Sequence, residues 1–561
     1  MNSPKQGVSD LPEILYRHGM RNVVISPGSR NAPLIFSFTG HDEITCYSIT
    51  DERAAAYFAL GISLQMKEPV GLICTSGTAV LNFAPAIAEA YYQNIPLIVI
   101  TADRPGEWID QADGQAIRQR DIYHNYIKQS FELPVETVHE ADLFHFNRLA
   151  NNAINTALTE PLGPVHVNIP LREPLYAPLP VPGPDLRIIE NVVAPAVLSS
   201  EVFSELLIKW NNSTRKLVIL GAEQKNKYQA ELCDLLSSDP SVVVIAENIS
   251  NSYGEKVIAS PERFFGSLSP SEGAAYQPDL LVTIGNSVVS GRLKKYLRQY
   301  APAEQWHIQP SPSTIDTYQS LTHSIVAVPE VIIRGLVENG AKIGGTYRDI
   351  MLHREERITK KHQELINTLP YSDLVIYDTI LKNLPMGSNL QLANSTPIRY
   401  AQLFASRRDI NYHSNRGTSG IDGCVSTAAG FAVSSKEITT LIAGDLSFIY
   451  DSNGLWNKYL TGNFKIIVIN NGGGNIFRLI DGGGENNLAR EFLETPHQVN
   501  IQLLAGAFGA NHAICKSQEE LPMLLEWLYK PAKSPSILEI ITDADINTTV
   551  FKEYYKQIKI V

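Results

Sequence analysis

From Gly444 to Phe477 the chain reads GDLSFIYDSNGLWNKYLTGNFKIIVINNGGGNIF. Two apolar runs, TTLIA and FKIIVI, each end in residues that offer an oxygen: Asp445 after the first, Asn470 and Asn471 after the second. Asn471 lies 26 positions after Asp445, a spacing that suits a strand, a crossover and a parallel return strand. Right-handed crossover then puts both polar tips on the carboxyl edge of one sheet, where α/β proteins take up ligands. A carboxylate, an amide oxygen and a backbone carbonyl make a partial oxygen shell, with room left for phosphate oxygens and water around a magnesium-like cation. A helix expected near Asp451 would aim its N-terminus at a diphosphate. Glycines 472 to 474 would let backbone approach that group closely. The plainer alternative is a helix cap at Asp445 and an ordinary turn at NNGGG.

Other residues point to acidic ligands and to proton chemistry. Asp51-Glu52-Arg53 follows a strand-like TCYSIT and opens an alanine-rich stretch, AAAYFALGIS. Taken alone, this is a capping Asp51 and a Glu52 that complements the helix dipole. Arg30, Arg104, Arg292, Arg399 and Arg416 lie in loops rich in glycine, proline or serine: SPGSRNAPL, TADRP, SGRLKK, NSTPIR and SNRGTSGIDG. One such arginine is ordinarily a solvated surface group. Five at strand-to-loop junctions fit planar, bidentate recognition of carboxylates.

The surrounding pattern supplies the scaffold. Buried-type runs such as Val70 to Cys74 and Val165 to Ile169 alternate with helical stretches, as in parallel sheets covered on both faces. YAPLPVPGP, Tyr176 to Pro184, cannot pair regularly and reads as a linker; a charged helical segment, Arg348 to Leu369, reads as a second connection. The expected fold is α/β, three doubly wound parallel-sheet domains over residues 1–180, 190–345 and 370–561. With a net charge of −11, nucleic acid is a poor partner. The five cysteines are scattered, with no C-x-x-C pair, so neither a zinc site nor a disulfide framework is expected. No apolar run reaches the ~20 residues of a membrane helix, and the N-terminus lacks a secretory pattern; the cytoplasm is the expected location.

The GD…NN stretch resembles the cofactor motif of the thiamine-diphosphate-dependent enzymes, with Leu446 where many members have a second glycine. The resemblance implies three metal ligands for magnesium, with manganese as the alternative: Asp445, Asn471 and the carbonyl of Gly473. It implies Gly444, Ser447, Ile421 and Ile476 as further cofactor contacts, Ile421 being the apolar wedge that keeps the cofactor bent; ordinary core packing is its alternative. DER resembles the activating-glutamate site, which makes Glu52 the group that switches the cofactor on. In order and spacing, SPGSR, TSGTA, ADRP, GQAIRQ and SNRG-x-SGIDG resemble the menaquinone-pathway branch of that family. That branch decarboxylates 2-oxoglutarate and adds the resulting carbanion in a 1,4 sense to isochorismate. Carried over, Arg30, Arg104, Arg292, Ser395, Arg399 and Arg416 bind substrate anions, Phe477 lines the pocket, and Glu52, Gln115 and Arg30 are catalytic. Gly114 and Gly291 replace an asparagine and a lysine of the pattern. The resemblance further implies a homodimer or homotetramer with shared sites. Two alternatives are another thiamine-dependent decarboxylase or carboligase, such as acetohydroxyacid synthase, and a non-catalytic nucleotide-binding regulator. Against the regulator, the glycines form neither G-x-G-x-x-G nor a P-loop.

Overall fold

The computed structural model describes residues 3–225, 227–479 and 490–559. Three six-stranded sheets, parallel in every recorded pair, follow one another along the chain. The first comprises β1 (Asn22–Ile25), β2 (Thr45–Ser48), β3 (Val70–Cys74), β4 (Leu97–Asp103), β5 (Ser130–Glu132) and β6 (Val165–Pro170). The second has β7 (Lys216–Leu220), β8 (Val242–Ala246), β9 (Val257–Ile258), β10 (Leu280–Ile284), β11 (Glu304–Gln309) and β12 (His323–Val326). The third has β13 (Asn389–Leu392), β14 (Asn411–His413), β15 (Thr439–Gly444), β16 (Phe464–Asn470), β17 (Asn511–Cys515) and β18 (Ser536–Ile541). Their central strands are buried on both faces, so they read as unbroken apolar runs.

The first sheet runs β2-β1-β3-β4-β6-β5 and the third β14-β13-β15-β16-β18-β17. Counted from its own first strand, each has the same order. The middle sheet differs, running β12-β11-β10-β7-β8-β9. No helix or strand lies between Pro170 and Ser200, a span that contains the proline-rich segment. That segment lies against the first block: the Gly183 amide donates to Asp10 (2.9 Å) and Gln6 donates to the Val181 carbonyl (3.0 Å). The charged segment before the third sheet is a helix, Tyr347–Ile366.

The first and third sheets are joined through corresponding helices, Glu52–Met66 and Cys424–Ser434. Both are rich in alanine and glycine, and their backbones nearly touch. A methyl group on Gly61 would lie 2.0 Å from the Thr427 carbonyl, and one on Gly430 2.0 Å from that of Phe58. One hydrophobic cluster therefore runs from Ala54–Leu60 through Val425–Ala432 to Leu441 and Ile466. A second joins the middle block to the third through residues such as Tyr296, Met351, Tyr377 and Tyr554.

Candidate active site

β15 and β16 are neighbours, with Gly444 opposite Ile469, so Asp445 and Asn471 emerge side by side at the carboxyl edge. Asp445 is 2% exposed. One of its oxygens accepts the Leu446 amide (2.7 Å); the other accepts the amides of Gly472 (2.8 Å) and Gly473 (3.0 Å). The carboxylate thus shapes the glycine turn, where Gly472 (φ 80°) and Gly473 (φ 155°) hold backbone angles that favour glycine. Asn471 Oδ1 is buried and has no partner among the described residues. A buried acceptor left open beside a carboxylate is what an oxygen-seeking cation would complete. The Gly473 carbonyl accepts the Asn475 amide (3.0 Å) and keeps a second lone pair. A cavity of about 210 Å³ adjoins Asn471, Gly472 and Gly473.

The helix expected from Asp451 is only a short 3-10 turn, Ser452–Leu455; an α-helix precedes it, from Asp445 to Tyr450. Asp445 is the first helical residue, so a helix N-terminus faces the glycine loop six residues earlier than expected. Asp451 is buried and accepts the amide (2.7 Å) and hydroxyl (2.8 Å) of Ser426; desolvation pushes its carboxyl up to about 7. Ser447, on the Asp445 helix, donates to the Ile421 carbonyl (2.8 Å). Ile421 is half-buried, as are Ile476 and Phe477 on the short helix after the glycines. Gly444 has open space around it.

Two residues here carried no sequence signal. His497 Nε2 lies 3.2 Å from Asp445 Oδ2, and the carboxylate raises its imidazole pKa. Asp373 sits behind Asn471, accepts the Thr542 hydroxyl (2.8 Å) and is pushed up to about 6 by burial. Both lie far in sequence from the motif they support.

At the carboxyl edge of the first sheet, Asp51 caps the Glu52–Met66 helix by accepting the Ala54 amide (3.2 Å). It also accepts from Asn453 (2.7 Å), while Arg53 donates to the Tyr450 carbonyl (2.9 Å). The flanking residues of DER therefore fasten the helix to the third block. Glu52 between them is half-buried and makes no hydrogen bond among the described residues. The hydroxyls of Ser26, Thr75 and Ser76, at the ends of β1 and β3, are buried and also without partners among the described residues. This edge can accept a polar group.

Arg104 donates to the Gly114 carbonyl (2.7 Å) and lies 3.3 Å from Asp113, which places it beside Gln115. Gln115 is exposed, left-handed (φ 56°), and packed on the Gly77 turn. Arg30 is buried; it donates to the Leu171 carbonyl (2.9 Å), and its Nε has no partner. In the third block, Arg416 donates to Asn394 (2.8 Å), next to Ser395, whose φ of 76° is unusual for a residue with a side chain. Desolvation lowers the Arg416 pKa. Arg292 comes from the middle block, with Nε 3.2 Å from Glu262 and its guanidinium 3.7 Å from the Tyr555 ring centroid. Glu262 also acts on Arg399, which is exposed on the Thr396–Ala401 helix. Within one chain the structure thus groups Arg104 with Gln115, Arg416 with Ser395 and Arg399, and Arg292 with Arg399 through Glu262. Arg30 stays within the first block, on the Leu171 carbonyl and 3.7 Å from the Glu173 carboxylate.

Two family models match parts of the chain. Residues 5–128 match the thiamine pyrophosphate enzyme N-terminal TPP binding domain, and residues 395–540 match the C-terminal TPP binding domain. The chain is 40% identical over 547 residues to 2-succinyl-5-enolpyruvyl-6-hydroxy-3-cyclohexene-1-carboxylate synthase of Flavobacterium psychrophilum, covering 97% of this chain and 98% of that one. It is 39% identical to the Christiangramia forsetii protein of the same name (96% of each) and 37% identical to that of Desulfotalea psychrophila (96% and 98%). In fold it resembles benzoylformate decarboxylase from Polynucleobacter necessarius, with a TM-score of 0.72 and 15% identity over 97% of this chain and 99% of that one.

Proposed function

The chain belongs to the 2-succinyl-5-enolpyruvyl-6-hydroxy-3-cyclohexene-1-carboxylate synthase family of thiamine-diphosphate enzymes, and from that premise we propose how its own residues perform the synthesis. The substrates in this reading are 2-oxoglutarate and isochorismate, and the enzyme is a transferase-type carboligase of menaquinone biosynthesis. One observation carries the reading: Asp445 and Asn471 stand on adjacent strand ends, with the Asn471 oxygen buried and unpartnered.

Asp445, Asn471 and the Gly473 carbonyl would hold magnesium, or manganese, and through it the diphosphate; Gly444, Ser447, Ile421 and Ile476 would line the cofactor. When bound, thiamine diphosphate supplies a nucleophilic thiazolium carbon and a sink for the electron pair left by departing carbon dioxide. Glu52 is free to hold a proton against the pyrimidine, because Asp51 and Arg53 take up the structural contacts around it. Its role would be to favour the tautomer whose 4′-nitrogen is an imine and can act as an internal base. Arg30, Arg104, Arg292, Arg399 and Arg416, with Ser395, bind and orient the substrate carboxylates. Gln115, fixed in a strained turn beside Arg104, sits at the reacting end, and much of the rate comes from this alignment. Ile421, Ile476 and Phe477 form an apolar cover that limits water.

Glu52 and Asp445 of the same chain lie at the ends of two different sheets. In this reading each complete site therefore combines the first block of one protomer with the third block of another, as homodimer or homotetramer in the cytoplasm. Exposed aromatics on the first block, Tyr91, Tyr92, Trp108 and Tyr126, suit such a covered face.

The test is a coupled assay with thiamine diphosphate and magnesium, following loss of isochorismate absorbance with 2-oxoglutarate or pyruvate as donor. Turnover with 2-oxoglutarate at least tenfold above pyruvate is expected; a preference for pyruvate would assign the chain to acetohydroxyacid-synthase-like chemistry instead.

A further inference from the structure

The loop that carries both Arg416 and Ile421 is held from outside its own block. Glu89 lies on the Ala84–Gln93 helix of the first block and is 1% exposed. Its two carboxylate oxygens accept the backbone amides of Gly417 (2.7 Å) and Thr418 (2.7 Å), the two residues after Arg416. The Thr418 hydroxyl and the Gln93 amide also donate to it. Every direction of approach to this carboxylate is therefore occupied by a donor. The contact is tight: a methyl group on Gly417 would lie 2.6 Å from the Glu89 carbonyl oxygen. On the inner side, Asn394 completes the grip. It donates to the carbonyls of Asn415 (2.6 Å) and Gly420 (2.7 Å), while its own oxygen accepts from Arg416 (2.8 Å).

A buried carboxylate that spends its charge on two consecutive amides fixes their peptide planes more firmly than neutral acceptors could. The first of these planes, that of the 416–417 peptide, adjoins the Arg416 Cα, and the second holds the next residue in place, so together they set where the guanidinium fork points. We infer that Glu89 is a positioning residue for substrate binding, acting through the Gly417–Thr418 backbone to aim Arg416. It makes the first block of a chain responsible for substrate recognition in the third block of that same chain. This rests on the proposed carboxylate-binding role of Arg416 and adds to it.

The experiment is a double-mutant cycle on the full-length enzyme with cofactor and magnesium, using Glu89→Gln, Arg416→Ala and the pair. Glutamine keeps the size but presents an NH₂ group to one of the two amides, so the clamp loses half its acceptors. Arg416→Ala is expected to raise KM for one of the two carboxylate substrates at least tenfold, which tests the role assigned to the arginine. Glu89→Gln should raise KM for that same substrate about tenfold, with kcat and the other substrate's KM within about threefold. In the double variant KM should stand no higher than in Arg416→Ala alone, because the clamp has nothing left to aim. Gly417→Ala, which pushes the loop off the helix without removing a polar group, should reproduce the Glu89→Gln phenotype and serves if that variant does not fold. If Arg416→Ala leaves both KM values unchanged, the substrate role of the arginine fails. If it raises KM while Glu89→Gln and Gly417→Ala only lower Tm and the active fraction, Glu89 is structural and the inference is overturned. Multiplying effects in the double variant would overturn it as well.

Discussion

The first and third sheets share one winding order but carry different chemistry at corresponding strand ends. In the third, the residues that follow β15 and β16 are Asp445 and Asn471, an oxygen pair suited to a cation. In the first, β3 runs into Thr75-Ser76-Gly77 and β4 ends at Asp103-Arg104, so hydroxyls and a guanidinium stand where the oxygens would be. The loop ahead of the long alanine-rich helix differs in the same way, with Glu52 in one block and Arg416 and Ile421 in the other. The winding provides a set of positions at a carboxyl edge, and in the proposed reading a few side chains decide whether that edge grips a charged tail or activates a ring. The middle sheet, wound differently, contributes Arg292 and Arg399's neighbour Glu262 but no cofactor ligand in this reading.

Separating the two edges by mutation is the strongest test. Asp445→Ala should abolish both turnover and magnesium-dependent binding of thiamine diphosphate, as read by calorimetry. Glu52→Gln should lose about 10²- to 10⁴-fold in kcat, the range for a proton-transfer group, while cofactor affinity stays within a few-fold. If both variants lost binding equally, the division of labour between the sheets would be wrong.

The seam between the blocks gives the next largest effect. Gly61→Ala and Gly430→Ala each bring a methyl group 2.0 Å from a facing carbonyl, and each should cost on the order of 1–3 kcal/mol. Both force the same two helices apart, so the double variant should be less destabilised than the sum. Additive losses in denaturant titrations would show that the contacts yield independently.

A smaller effect separates Asp103, at the end of β4, from Asn470, at the end of β16. Asp103 is buried, and desolvation raises its carboxyl to about 6, opposed by hydrogen bonds from Asn168 and the Arg104 amide. Between an unfolded value near ~3.9 and about 6, the folded chain binds the extra proton. Its contribution to stability is therefore fully present at low pH, falls as pH rises across that window, and is level above it. Asp103→Asn, which gives the first edge the third edge's residue, should flatten that slope by roughly 1–3 kcal/mol across the window. An unchanged slope in pH-dependent melting would place the proton elsewhere.

What the sequence made legible was local. Buried parallel strands announce themselves as apolar runs, and the Asp445–Asn471 pair sits at the ends of two of them, so both the α/β class and the side-by-side placement of that pair could be read directly. A helical turn does begin beside Asp451, but it is only the short 3-10 turn Ser452–Leu455, and the Asp451 carboxylate is bonded to Ser426 instead of capping it; the helix that faces the glycine loop starts at Asp445. Nothing local marked Glu89, Asp373, His497 or Tyr555, whose partners lie tens to hundreds of residues away. The shared winding of the first and third blocks was equally hidden, since strand order is set by which apolar faces meet and not by residue identity.

The close crossing of the Glu52–Met66 and Cys424–Ser434 helices has a mechanical consequence. With carbonyls of each helix pressed against glycines of the other, there is no side-chain layer to slide or shear. The first and third lobes of one chain should turn as a single solid piece, and admission of bulky reactants must come from motion of the central lobe, of loops, or of one whole protomer against its neighbour.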